Sequence, residues 1–261
     1  MLPEPLRSFW EGLVAMSRHR VPTWWGVVVA DDRFPLVWDA NHASVFEDPR
    51  SLGAEEIREV LLPALRRAGA GHEVVEFWGP SPDGPAVRRL RAEAEQRGPD
   101  VDMVFEGPTL AVPPGDVEVR EVTHPDREFL AWYRSARLAL AQGLSGEVVD
   151  QLHRRDLEVF VPAGLRWFVG LVDGRPAGYT ALLSVAGVGY LDGVVTLPAY
   201  RRRGVATATV LEAVRASRAR GDRLVHLLAD KGGRPRRLYE RLGFRPWTEV
   251  VSFVRPLALP H

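Results

Sequence analysis

Apolar positions in this chain follow two spacings, and the alternation between them marks the elements. In the second half, Val117–Val122 alternates apolar and charged residues, the pattern of a half-exposed strand. Over 125–144, Phe129, Trp132, Tyr133, Ala136 and Leu140 recur at three- and four-residue steps, which predicts an amphipathic helix. Ser145 stands where a second helix would be capped. Arg166–Val172 and Ala177–Val185 read as strands joined by Asp173-Gly174, a hairpin signal between apolar runs. Gly189–Leu197 is a further strand. Val205–Arg220 is a long helix closed by Gly221. Leu224–Ala229 is a strand, Arg234–Leu242 a helix with Pro235 in its first turn and Gly243 after it, and Thr248–Val254 a closing strand. The order β-α-α-β-β-β-α-β-α-β predicts an α/β (α+β) protein, with a mixed central sheet flanked by helices.

The first half shows a shorter version of the same order. Val27–Ala30 and Leu36–Asp39 read as strands, and Ala54–Ala68 as a helix ending at Gly69. Glu73–Trp78 is a strand, Pro85–Gln96 a helix and Val101–Phe105 a strand. Val87-Arg-Arg-Leu-Arg-Ala also matches Pro235-Arg-Arg-Leu-Tyr-Glu. Two readings remain open: an internal duplication, or a cheap match in an arginine-rich chain. Three prolines and two glycines within Gly107–Asp116 read as a linker. The expected domains are therefore 1–110 and 117–261.

Composition narrows the function classes. The 261 residues are 46% hydrophobic and 26% charged, the make-up of a globular protein with a sizeable core. Lys plus Arg and Asp plus Glu both number 34, so net charge is zero. That argues against a dominant nucleic-acid or membrane-surface footprint. Cysteine is absent, which removes disulfides, thiolate metal sites and a cysteine nucleophile. Lys231 is the sole lysine among the basic residues, a bias expected of a G+C-rich bacterial genome. The start of the chain has no signal-peptide pattern and no run of apolar residues is long enough to span a bilayer, so a cytoplasmic location is expected.

The chemistry concentrates between Leu191 and Thr207. A strand ends near Thr196, turns at Pro198 and enters a helix at Val205, and the turn holds Arg201-Arg202-Arg203-Gly204-Val205-Ala206. The first N–H groups of a helix lack intrahelical partners and carry a partial positive charge. Gly204 and Ala206 let a ligand approach the backbone, and three arginines add charge, so the turn suits a pyrophosphate. Read alone, the same residues also describe a solvated helix entry.

Arg236-Arg-Leu-Tyr-Glu-Arg-Leu-Gly-Phe244 lies on the next helix. The two segments together, in this order, resemble the GNAT superfamily of N-acetyltransferases. There, a strand leads into Gln/Arg-x-x-Gly-x-Gly/Ala, and a later helix carries Leu-Tyr-x-x-x-Gly-Phe. The resemblance spans Val117 to about Pro256. It implies acetyl-CoA as cofactor, with pyrophosphate on Arg202, Arg203, Gly204, Val205, Ala206 and Thr207 and with Arg201 at the motif's first position. It implies pantetheine alongside Val194, Val195 and Thr196, whose strand supplies an amide to the thioester carbonyl. It implies Tyr239 as the acid for the leaving thiolate. Asp192 sits near the position of a strand glutamate that serves as base in relatives. It also reads as a sheet-end aspartate bonding a nearby amide. Asp230 is a second candidate base or a cap. Gly232 and Pro235 depart from the family's usual Asn and Ala.

The first half carries no such turn. Phe46-Glu-Asp-Pro-Arg-Ser-Leu-Gly53 places two carboxylates where phosphate would sit, and Arg91 stands at the position of Tyr239. A degenerate GNAT-like domain that walls the substrate site is expected. Trp24, Trp25 and Trp38 are candidates for an acceptor pocket or for core. His19, His42 and His72 show no metal spacing, and the stretch Asp39-Ala-Asn41-His42 is polar enough to line a pocket. The expected activity is acetyl transfer to a primary amine, on a small molecule or a protein N-terminus, in a ternary complex by a monomer or homodimer. The competing expectation is a non-catalytic acyl-CoA-binding or interaction module.

Overall fold

The computed structural model describes residues 2–108, 117–140 and 143–257. Most of the expected linker, residues 109–116, lies outside them, as does the Leu140 side chain. The elements run α1 (Glu4–Val14), β1 (His19–Pro22), β2 (Gly26–Ala30), β3 (His42–Val45), α2 (Ala54–Ala68), β4 (His72–Trp78), α3 (Pro85–Glu93) and β5 (Glu95–Phe105). They continue through β6 (Glu118–Val122), α4 (Arg127–Leu140), α5 (Gly146–Arg155), β7 (Arg166–Val172), β8 (Arg175–Val185) and β9 (Val188–Thr196). The chain then forms α6 (Val205–Arg220), β10 (Leu224–Asp230), α7 (Arg234–Leu242) and β11 (Phe244–Pro256). No helix among the described residues is long and apolar enough to cross a membrane.

The backbone divides into two compact units. One gathers Met1–Asp102, Ala229–Gly233 and Pro246–His261; the other gathers Met103–Leu228 and Arg234–Arg245. The last strand and the end of β10 thus join the N-terminal unit.

In the first unit, β1, β2 and β3 form an antiparallel meander, β4 lies parallel to β3, and β11 runs antiparallel to β4. Helix α2 is the crossover between the parallel strands, closed by Gly69 in the left-handed region at φ 68°. Ala43, Val45, Val75 and Phe77 on one sheet face pack against Ile57, Leu61 and Leu65 of α2, all buried. Arg58 of this helix is 6% exposed and meets Glu73, Glu55 and Glu93. The expected strand at Leu36–Asp39 does not form. Trp38–Ala40 is a 3-10 turn, and Asn41 pins the preceding loop by donating to the Phe34 and Val37 carbonyls at 2.8 and 3.0 Å. The strand is His42–Val45 instead, whose mixed polarity hid it. The expected helix over Pro85–Gln96 ends earlier, at Glu93, because β5 begins at Glu95. Helix α1 and strand β1 are additional to the expected elements.

In the second unit, β6, β7, β8 and β9 are antiparallel in sequence order, and β10 pairs parallel with β9. Ser145 caps α5 by accepting from the Val148 amide, and Asp173-Gly174 turns the β7–β8 hairpin with both residues at positive φ. The succession meander, crossover helix, parallel strand, helix, strand therefore occurs once in each half of the chain.

Candidate functional site

Helix α6 owes its position to missing side chains. Gly170 of β7 and Gly178 of β8 are opposite each other in the ladder. A Cβ on Gly178 would lie 2.2 Å from the Val195 carbonyl oxygen and 2.9 Å from Val205 Cγ1. One on Gly170 would lie 2.9 Å from Val205 Cγ1 and 3.1 Å from Thr209 Cγ2. The first turn of α6 drops into the space these glycines leave, and Thr180 Oγ1 donates to Thr209 Oγ1 at 2.9 Å in the buried contact. Further along, Gly189 makes room for Ser217, which with Ser184 donates to Asp222 at 2.6 Å. The N-terminus of α6 is thereby fixed close to the sheet.

Strand β9 opens beside it. Between the pairs Ala181–Asp192 and Tyr179–Val195, β9 holds one more residue than β8, and Gly193 takes φ 57° there. Such a bulge bends the strand and re-aims the residues beyond it. Among the described residues, β9 pairs with β10 over Val188–Tyr190 alone, and β9 then continues to Thr196. The edge of β9 from Leu191 onward is thus left without its neighbour. The Thr196 hydroxyl is buried there with no partner.

The turn between β9 and α6 leaves the first amides of the helix without a side-chain cap. Arg202 has φ 63° and Gly204 φ 82°, two left-handed residues that curl successive N–H groups inward. Gly204 is the N-cap of α6, and no side chain caps the helix. Nothing lies within 4 Å of where a Gly204 Cβ would stand. Arg201, Arg202, Arg203 and Gly204 are exposed, while Val205 is buried and Ala206 and Thr207 are half-buried. Arg203 meets Asp173 at 3.3 Å, across from the β7–β8 hairpin. The arrangement has open amides, a helix dipole and arginines aimed outward, and it fits a pyrophosphate.

Tyr239 is on α7, which adjoins α6, and is 6% exposed with its ring 6.0 Å from Phe244. Burial pushes its phenol up to about 12. Asp192 is half-buried on β9, before the bulge. Burial chiefly raises Tyr179 and Asp156 chiefly raises Arg137, with Asp192 adding to both; the two belong to a buried cluster the sequence did not reveal. Tyr133 donates to Asp156 at 2.6 Å, Arg137 bonds the same Asp156 oxygen, and the Tyr133 and Tyr179 rings meet at 5.0 Å. Burial lifts the Asp156 carboxyl while Arg137 draws it down. Tyr179 also lies 3.4 Å from where a Gly193 Cβ would be, so this cluster sits under the bulge. Tyr133 and Arg137 are four apart on α4, a spacing that juxtaposes side chains, but their partners are distant in sequence. Asp230 is placed in the first unit, where its Oδ1 accepts from the Gly232 amide at 2.9 Å as a turn cap.

The stretch that precedes α2 in the first unit carries Glu47 and Asp48 in place of an arginine run. Asp48 accepts from the Arg50 amide at 3.1 Å and from Arg50 Nε at 2.7 Å, capping the 3-10 turn Pro49–Ser51, while Gly53, the N-cap of α2, has no side-chain cap. Arg91 is exposed and donates to Gln96 at 3.4 Å. Trp25 is core at 1% exposure; Trp24 is exposed and donates to Glu56 at 2.7 Å.

Residues 127–244 match the family described as acetyltransferase (GNAT). A search of curated protein sequences gives no match. Among solved structures, a functionally unknown conserved protein from Staphylococcus epidermidis aligns with TM-score 0.71 at 14% identity, covering 92% of this chain and 94% of that one. A GCN5-related N-acetyltransferase from Kribbella flavida aligns with TM-score 0.66 at 21% identity, covering 97% and 95%. A tandem GNAT protein from the clavulanic acid pathway aligns with TM-score 0.56 at 19% identity, covering 78% and 71%. These identities carry the fold. The family match falls on the segment that holds the β9 bulge, the arginine turn and Tyr239, and residues 127–244 are a domain of the acetyltransferase (GNAT) family.

Proposed function

We propose that this protein is an acetyl-CoA-dependent N-acetyltransferase that acylates a primary amine by direct attack in a ternary complex. The observation that carries this reading is the uncapped start of α6 at Gly204, next to the unpaired edge of β9. When bound, acetyl-CoA supplies an activated thioester carbonyl and a thiol leaving group. The amides of Gly204, Val205, Ala206 and Thr207 hold the pyrophosphate, with Arg201, Arg202 and Arg203 offering charge-assisted bonds. The edge of Val194, Val195 and Thr196 receives the pantetheine amides as a neighbouring strand would be received. An amide of that edge donates to the carbonyl oxygen as negative charge develops on it.

Asp192 takes the proton that the amine nitrogen loses as the C–N bond forms. The C–S bond breaks, and Tyr239 faces the departing sulfur. A thiol titrates near 8.5, so a phenol at about 12 gives its proton to a thiolate only uphill, by roughly 3–4 pH units. Tyr239 therefore serves first as a hydrogen-bond donor to the sulfur, and the proton released by the amine completes the balance. The first unit, which carries Glu47 and Asp48 ahead of α2 where arginines precede α6, takes no part in holding acetyl-CoA.

Equilibrium dialysis of acetyl-CoA against Gly204→Ala and Gly204→Glu tests the turn. Alanine at φ 82° costs about 1 kcal/mol of backbone strain. Glutamate adds a charge facing phosphate, so Gly204→Glu should lose binding far beyond the alanine variant. Equal affinity in the two would remove the pyrophosphate assignment. Thiol release with a panel of primary amines then tests turnover; tight acetyl-CoA binding with no release on any amine would favour the non-catalytic binding module.

A further inference from the structure

The ladder of the second unit fixes which way Asp192 points. In β8, Gly178 and Thr180 meet Val205 and Thr209 of α6, so Tyr179 and Ala181 lie on the opposite face of the sheet. Ala181 is paired with Asp192 in the antiparallel ladder, and directly opposed residues project to the same side. Asp192 therefore shares the face of Tyr179 and of Trp167, the partner of Ala181 in β7. Helix α4 covers that face: the Tyr133 ring lies 5.3 Å from that of Trp167 and 5.0 Å from that of Tyr179. Gly193 follows Asp192 over the same tyrosine, with its missing Cβ 3.4 Å from Tyr179 Cε2 and 3.7 Å from the hydroxyl oxygen.

Two carboxylates and one guanidinium meet on this face from three elements. Arg137, one turn after Tyr133 on α4, bonds Asp156 Oδ2, which also accepts from the Tyr133 hydroxyl at 2.6 Å. Asp156 opens the π-helical turn Asp156–Phe160 and is 3% exposed, whereas Asp192 of β9 is half-buried. A guanidinium has five N–H groups, and among the described residues Arg137 spends one on Asp156. Its charge is felt beyond that bond, by Asp156 first and then by Tyr133, Tyr179 and Asp192. The other titratable neighbours stay neutral near pH 7. Burial raises Tyr133 and Tyr179, and burial followed by Arg137 and Arg134 lowers His153, whose ring is 5.6 Å from that of Tyr133. Arg155, over the Phe160 ring at 4.7 Å, adds its charge to Asp156. Two carboxylates on one sheltered face raise each other, and one takes up a proton unless a cation offsets them.

We propose that Arg137 is a positioning residue for acetyl transfer: anchored on Asp156, it keeps Asp192 as the carboxylate that receives the amine proton. This rests on the reading of Asp192 as the base. An arginine that only bolts α4 to the π-helical turn would serve the fold and leave the ionisation of Asp192 untouched.

The test follows the Asp192 carboxyl itself, by ¹³C NMR titration of the full chain labelled at aspartate Cγ, and needs neither acetyl-CoA nor turnover. The Asp192 signal is the one missing from Asp192→Asn. Asp156→Asn removes a negative charge and keeps Arg137, so the Asp192 midpoint should fall by about one pH unit. Adding Arg137→Met to Asp156→Asn then removes the cation alone, and the midpoint should rise again by about one pH unit. Arg137→Lys in the same background keeps the charge and should hold the midpoint near that of Asp156→Asn. The acid limb of kcat/KM should move with these midpoints. An unmoved midpoint on loss of Arg137 would overturn the proposal, whatever the variant does to stability. Should the double variant fail to fold, Asp156→Asn alone decides, and an unmoved midpoint there overturns it. Full turnover in Asp192→Asn, with the midpoints moving as expected, would overturn it from the other side, through the base reading on which it rests.

Discussion

Tyr239 is almost fully buried, and its phenol stays protonated well above the range in which a free tyrosine ionises. Tyr239→Phe should lower the rate of thiol release while leaving acetyl-CoA affinity within about twofold, measured by steady-state kinetics beside dialysis. The raised value also bears on stability. The unfolded chain loses the Tyr239 proton near pH 10, the folded chain near 12, so this contribution is complete below pH 10 and is lost between the two. The wild type should lose more stability than Tyr239→Phe across that window in alkaline denaturation. The difference is at most about 2.7 kcal/mol for two pH units. Arg202 is a different case. At φ 63° it holds a conformation that a side chain strains and glycine does not. Arg202→Gly should leave the melting temperature nearly unchanged, since relief of strain and loss of backbone entropy are each about 1 kcal/mol. Its affinity for acetyl-CoA should fall several-fold.

Among the elements, the glycine pair under α6 makes the sharpest expectation. Gly178→Ala drives a methyl against the Val195 carbonyl, a backbone atom that cannot turn aside. It should cost about 2–3 kcal/mol in chemical denaturation and displace both the β9 bulge and α6. Gly170→Ala meets a valine methyl and should cost about 1 kcal/mol. Elements with an amphipathic stripe and a glycine stop were legible in the sequence: α2, α6 and α7 begin and end where the pattern places them. Strand β3 was not, because His42 and Ser44 are polar residues that are buried, and a pattern reading takes buried positions to be apolar. The arginine turn was legible because its residues are contiguous. The Tyr133–Arg137–Asp156–Tyr179 cluster was not, because α4, a π-helical turn at Asp156–Phe160 and β8 meet only in the folded unit. Asp192 was visible as a residue, but its charged neighbour Arg137 was not.

Over the whole molecule, zero net charge conceals an arginine turn in one unit and a group of carboxyls, Asp39, Glu76, Asp100 and Asp230, in the other. The two should respond separately. Saturating acetyl-CoA should slow amide hydrogen exchange over 201–209 and leave Ile57–Leu65 of α2 unchanged. Acid should act first through His72. Its folded value is near 4 and its unfolded value near 6.5, so the unfolded chain takes up the proton first, and stability falls as pH drops from 6.5 to 4. Thermal melts across that range should slope less in His72→Gln. The start of α6 adds a kinetic consequence. Its amides are already uncapped, and the two glycines hold the helix down against the sheet, so no minor conformer has to be recruited before an anion can land. Capture of acetyl-CoA should then follow a single exponential whose rate rises linearly with concentration. The affinity carries no discount for a rarely populated competent state.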